Sequence, residues 1–368
     1  MTDESLLVVP CMSNNVLAVL DLDAHEVVAH LPLPRRGPSG VFASPDGRRL
    51  YCLASGGCDV VVMDVATWTV EQVIPVEGSI IDRGKLPASG PDFWVSVIMQ
   101  GHVHCVDTVA GEVTRSFPKV GPCFVISEDE QLLSTLSADK RGKPGTFTTR
   151  SAATGEVLGE TAVPAMSGFP LGMWTAGTRV YWTELAKAGA LHVVDVSDPA
   201  APTYVSRVAL GSAPLAAEVM PNGTIWVPNA ADATVSVVDA ASLEVVHTLE
   251  VGHYVGHVQW LDGRAYLNQL KRPGPMSFWR AMWVTIPAPY LGVYVTPLSG
   301  HARTRPVLDQ PAEVVAYDGT TYERLPLPPL TLPSLAFTSA VVRGARPGPS
   351  EPSGVLVRTT PIRPGGDL

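Results

Sequence analysis

An apolar run that closes on an aspartate comes back along this chain at a nearly constant interval, and that regularity limits the folds open to it. NVLAVLD ends at Asp21, DVVVMD at Asp64, HVHCVD at Asp107, LHVVD at Asp195, TVSVVD at Asp239 and EVVAYD at Asp318, with TFTTR ending at Arg150 in the fourth place. The successive spacings are 43, 43, 43, 45, 44 and 79 residues. A unit this short cannot bury its own apolar faces, so neighbouring units must stack. A period in the low forties with four short strands per unit predicts the blades of a β-propeller. The last interval is one ordinary repeat plus an insertion at 271–311.

One repeat shows how local chemistry draws the strands. Residues 40–44 read as an inner strand, and Pro45-Asp46-Gly47 as the turn that reverses the chain. Pro presets the first turn residue and Gly supplies the left-handed one. Residues 49–54, 59–65 and 69–76 alternate as second, third and fourth strands. The unit at 213–251 repeats this, with Pro221-Asn222-Gly223 as its turn. Residues 85–90 and 127–130 lack the Pro-Asp-Gly letters, which blurs the strand boundaries of blades three and four.

The N-terminus supplies a second, third and fourth strand with no inner one, and an inner-type strand appears near 334–342. Pairing the two closes the ring and removes exposed sheet edges. The fold class expected is all-β: a seven-bladed β-propeller of four-stranded blades over 1–344, with a Pro/Gly-rich tail at 345–368. Residues 34–78 and 210–252 carry a resemblance to the YVTN-repeat β-propeller family, which extends more weakly over nearly the whole chain. The resemblance implies the fold and leaves function undetermined, because the hosts of such rings do many different things.

Composition excludes some functions. The chain has 368 residues, a net charge of −9 and no basic stripe, so no nucleic-acid partner is expected. Pro287, Pro289 and Pro297 interrupt the uncharged run at 281–298, so no transmembrane segment is expected. Five cysteines, none in CxxC spacing, read as buried thiols rather than disulfides or a zinc site. The acidic start lacks the features of a secretory signal, and a cytoplasmic location is expected.

A connection of some 40 residues in a compact fold is usually functional. The insertion carries Phe278, Trp279, Trp283 and Tyr290, and joins strands two and three of blade seven, on the face where inner strands begin. There it forms either a lid over the central channel or a docking element for a protein partner. Near the channel mouth fall His253, Tyr254, His257 and Gln259 of blade seven, Glu218 of blade six, Arg83 and Lys85 of blade three, and Arg36 before blade two. A His near a Glu in a partly closed site suits general acid–base work. His257 and Glu218, on adjacent blades, are therefore the first catalytic candidates, with Tyr254 and Lys85 beside them. Trp279, Trp283, Phe278, Tyr290, Gln259, Arg36, Arg83 and His253 are candidates for binding substrate. The simpler role for an inner-strand His or Glu is a hydrogen bond to loop backbone.

His102 and His104 share one face of a third strand, but no third ligand lies near, so no metal site is expected. Nor does the chain contain GxSxG, a Walker A loop, HExxH or CxxCH. No cofactor is expected, with a divalent metal left open. The function expected is binding of a hydrophobic small molecule in a capped central pocket, with lyase, cyclase or isomerase chemistry of the acid–base kind. The alternative is a non-catalytic interaction scaffold.

Overall fold

The computed structural model describes residues 4–35, 37–78, 81–87, 92–121, 123–137, 142–285, 311–334 and 338–348. Seven four-stranded antiparallel sheets form the ring of a seven-bladed β-propeller. Inner strands run Pro38–Ala43, Ile81–Lys85, Cys123–Ile126, Phe169–Ala176, Glu218–Val219 and His253–Leu261 in blades two to seven. Blade one takes its inner strand from the other end of the chain: Ala340–Gly344 pairs with Glu4–Cys11, from Glu4↔Gly344 to Val8↔Ala340. Beyond that strand Arg346 reaches Asp21, Glu4 and Glu26, tying the closing segment to the blade it completes.

The core is distributed between blades rather than gathered at one centre. Each strand alternates its side chains between the faces turned to the preceding and following blades. Val60 and Val62 thus pack with Phe93 and Val95 of the next blade, while Val61 and Met63 pack with Leu6 and Val8 of the one before. In Asp59–Asp64 the run Val60-Val61-Val62-Met63 makes both faces of the third strand apolar. All five cysteines are free and buried in this packing.

The repeated aspartate has a defined task. Its carboxylate accepts backbone N–H groups of the turn that follows the third strand: Asp21 from Asp23 and Ala24, Asp239 from Ala241 and Ser242, Asp318 from Thr320 and Thr321. Four residues after each of these aspartates the chain enters the left-handed region, at His25, Leu243 and Tyr322. The turn between strands one and two corrects the sequence reading. In Ser44-Pro45-Asp46-Gly47 the Ser44 hydroxyl donates to Asp46 and accepts the Arg49 N–H. Ser127-Glu128-Asp129-Glu130 makes the same pair of bonds, to Asp129 and from Leu132. Glu130 then takes the left-handed position that Gly47 fills, φ +59° against +69°. Such a conformation costs a residue with a Cβ roughly 1–2 kcal/mol. In blades two and four Ser-x-Asp holds the reversal, and blade four makes it without Pro or Gly.

The second strand of blade seven, Arg264–Pro273, runs on into the 271–311 insertion, and the helix Phe278–Thr285 follows it. Ser277 caps that helix through the Arg280 N–H.

Candidate functional site

In blades three and six the second strand ends where the third begins, which gives a common measure of depth in the channel. Val97 pairs with His102 and Asn229 with Thr234, the first residues of their third strands. Lys85 lies opposite Trp94 and Glu218 opposite Trp226, each three residues back from that end. Blades three and six are as far apart as a seven-membered ring permits, so the two residues stand at one level on opposite walls. Each feels the other's charge. Among the described residues neither side chain has a hydrogen bond or a close ion pair, and both are half-buried. Burial lowers the Lys85 amine to about 8, with the nearby Arg83 adding to the effect and Glu218 opposing it. Burial raises the Glu218 carboxyl to about 7, against the pull of Lys85. Desolvation thus moves the acid and the base toward each other.

His257 has a different neighbour from the one its sequence position suggests. It lies opposite Asn268, two residues back from Leu270, and its Nδ1 is 3.2 Å from the Ser339 hydroxyl of the segment entering blade one. Burial lowers its pKa to about 4, so the ring is neutral at pH 7. Adjacent blades bring His257 to the closure seam, and Glu218 answers to Lys85 instead. Asn268, 3% exposed, has both amide atoms unpartnered beside that imidazole. A buried amide without partners marks a place for an ordered water or a ligand. Its signal in the sequence is the pair Asn268-Gln269 interrupting the apolar run of a second strand.

The remaining candidates separate by position. Arg83 is two residues from Lys85 on the same strand, and its Nη1 donates to the Cys123 thiol of blade four at 2.6 Å. His253 donates from Nδ1 to the Leu270 carbonyl at 2.8 Å, near the mouth, when that nitrogen carries the proton. Gln259 lies deeper, opposite Tyr266, and is half-buried. Tyr254 is fully buried in the apolar cluster shared by blades seven and one. Phe278 and Met282 pack on that cluster, whereas Trp279 is 64% exposed. Arg36, Tyr290 and the side chain of Trp283 lie outside the described residues.

The insertion leaves its blade toward blade six: Gly274 donates to the Gly252 carbonyl and Met276 to that of Ala231. A cavity of about 230 Å³ lies at its base, with Leu270, Arg272, Met276, Ser277 and Arg280 among its walls. His104 donates to or accepts from Ser116 at 2.8 Å, and no cluster of metal-ligating groups occurs among the described residues. No helix among them is long and apolar enough to cross a membrane.

Comparison of the sequence with protein-family models and with curated proteins gives no match. Solved structures share the fold. The dihydro-heme d1 dehydrogenase NirN, solved in complex with DHE, is similar over 91% of this chain and 74% of its own, at TM-score 0.60 and 16% identity. Hydrazine synthase from Kuenenia stuttgartiensis is similar over 62% of this chain and 72% of its own, at TM-score 0.55 and 16% identity. At this identity the likeness establishes the propeller, not the YVTN family within it. The expectation of a ring without a cofactor is overturned, because the first of these was solved with DHE bound. The reason is physical: a missing CxxCH speaks only to covalent attachment. A group held in a channel by residues from several blades leaves no contiguous motif.

Proposed function

We propose that this chain binds a carboxylate-bearing small molecule at the channel mouth and moves protons on it with Lys85 and Glu218. The observation that carries this reading is the placement of those two residues at one depth on opposing blades, with no hydrogen bond to either side chain among the described residues. A molecule between them meets a proton donor on one side and an acceptor on the other, both poised near neutral pH, where proton transfer in either direction is easiest. Arg83 and Lys85 supply cations for a carboxylate, while neutral His257 and Asn268 accept and donate hydrogen bonds at the adjoining wall. The lining at this depth is charged, which favours an ionisable ligand over the wholly hydrophobic one expected from the aromatic insertion. Elimination and isomerisation are the reactions such a pair serves.

A haem-type tetrapyrrole belongs to the same ligand class through its carboxylates. Arg83 and Lys85 would hold those groups, and the neutral His257 ring provides a nitrogen donor of the kind iron accepts. Bound there, such a group would supply electron transfer. The proton-moving pair does not depend on it.

The test is incubation of purified protein with a metabolite extract, read by untargeted mass spectrometry, beside the double variant Lys85→Met, Glu218→Gln. A metabolite converted to an isomer, or to a product lighter by water, by the wild type alone supports the reading. Identical metabolite profiles for both proteins overturn it. An absorbance titration with haemin identifies the tetrapyrrole if its bands shift in the wild type and not in the double variant. The exposure of Trp279 favours a second reading, docking of a protein on the insertion. Capture of one protein, lost in Trp279→Ala and retained in the double variant, would select it.

A further inference from the structure

Building on the channel reading, we propose that Lys85 is a nucleophile that forms an imine with a substrate carrying both a carbonyl and a carboxylate. Glu218 is the facing proton shuttle and Arg83 the anchor for the carboxylate. Among the described residues Lys85 is the only lysine on an inner strand, and Lys119, Lys143, Lys187 and Lys271 are exposed. An amine at the ordinary lysine value of about 10.4 has little free base at neutral pH and attacks a carbonyl carbon slowly. Lys85, with its pKa near 8, supplies a usable fraction of free amine.

The steps balance without a further reactant. The Nζ lone pair attacks the carbonyl carbon, and the oxygen takes a proton to give a carbinolamine. Glu218 protonates the hydroxyl, which leaves as water while the C=N bond forms. One amine hydrogen and the Glu218 proton depart with the former carbonyl oxygen, so nitrogen keeps the other hydrogen and Glu218 is left as a carboxylate able to accept the next proton. Protonated, the imine draws electrons from the adjacent carbon and so lowers the barrier to losing a proton there. That is the step needed for isomerisation or elimination, and no oxidant or reductant enters. Arg83, two residues along the same strand, places a second positive charge on the wall beside the amine.

The experiment treats the full chain with pyruvate or phenylpyruvate in the presence and absence of sodium cyanoborohydride, followed by intact mass measurement and peptide mapping. Saturation-transfer NMR on the same samples reads non-covalent contact with each acid. The expected result is a reductant-dependent adduct on the Lys85 peptide. It should be absent in Lys85→Arg, formed about 10²-fold more slowly in Glu218→Gln, and unchanged in the surface variant Lys187→Arg. Label spread evenly over exposed lysines, or an equal yield in Lys85→Arg, overturns the imine. If NMR then still shows contact that the double variant loses, the channel-binding reading stands without it. No adduct and no contact with either acid overturns the imine too, and the extract experiment then decides the channel reading separately. Circular dichroism of each variant establishes that it folds, and Glu218→Gln keeps the test decisive should Lys85→Arg not.

Discussion

Two glutamates in neighbouring blades have opposite chemistry. Glu184 is the next-to-last residue of the second strand of blade five and is 1% exposed, yet it stays ionised. Burial pushes its carboxyl up, but hydrogen bonds from His192 and from Ser167, with the positive charge available on His192, outweigh that and hold it at about 2. Its Oε1 accepts the Ser167 N–H at 2.6 Å, the Ser167 hydroxyl at 2.8 Å and the Gly168 N–H at 3.1 Å. Its Oε2 takes His192 at 3.1 Å and Arg207 at 3.3 Å. At Glu218 burial pushes the carboxyl up to about 7 against the pull of Lys85 across the channel, and among the described residues no hydrogen bond is donated to it to offset that burial. Burial raises both carboxyls, and hydrogen bonding reverses the effect only at Glu184. A satisfied carboxylate is a fastener for the loop leading into a blade, and an unsatisfied one is free to exchange a proton.

The strongest test of this contrast is Glu184→Gln. It leaves His192, stacked on Trp182, facing an amide, and removes the charge that Ser167 and Gly168 point at. Breaking a buried hydrogen-bonded charge set costs about 3–5 kcal/mol, to be read from urea unfolding. A loss below about 1 kcal/mol would dissolve the distinction.

Acid titration comes next. Glu184 has a depressed folded pKa, so its contribution is present above the unfolded value of about 4.3 and is lost as pH falls toward 2. Wild-type stability should therefore drop across that window, and Glu184→Gln should flatten the drop. Parallel curves would break the assignment.

Glu218→Gln should act in the opposite direction. A raised folded pKa means that stability is full below about 4.3 and declines as pH rises through about 7. At pH 8 the variant should be as stable as the wild type or better, by no more than about 1 kcal/mol after screening, while losing proton transfer. Destabilisation there would show Glu218 to be another fastener.

The smallest effect expected is in Lys85→Met. Without that cation the Glu218 titration, followed by carboxyl-carbon NMR, should move further upward. An unmoved titration would mean that the two walls are not coupled.

Much of the fold was legible in the sequence because its determinants are local. Asp at the end of a third strand and the left-handed residue four places on are set by turn sterics, so Asp21, Asp64 and Asp239 announced their blades. Glu130 was harder to read because the left-handed site there is occupied by a residue whose letter does not advertise it. The candidate site was legible only as a set. Lys85, Arg83, Glu218 and His257 stood out as polar residues of inner strands, but adjacency in blade order suggested Glu218 with His257. The structure instead seats His257 on Ser339 and faces Glu218 with Lys85. Asn268 and the Glu184 cluster went unnoticed, since an orphaned amide and a fully satisfied carboxylate look alike as letters.

The sequence by itself determined the blade count, the strand alternation and the ring closure, each of which follows from period, turn chemistry and the need to cover sheet edges. Only the tertiary structure decided which polar residues meet. Partners across the channel are chosen by how many blades separate them and by the register of each inner strand, and a one-residue slip in that register turns a side chain to the other face.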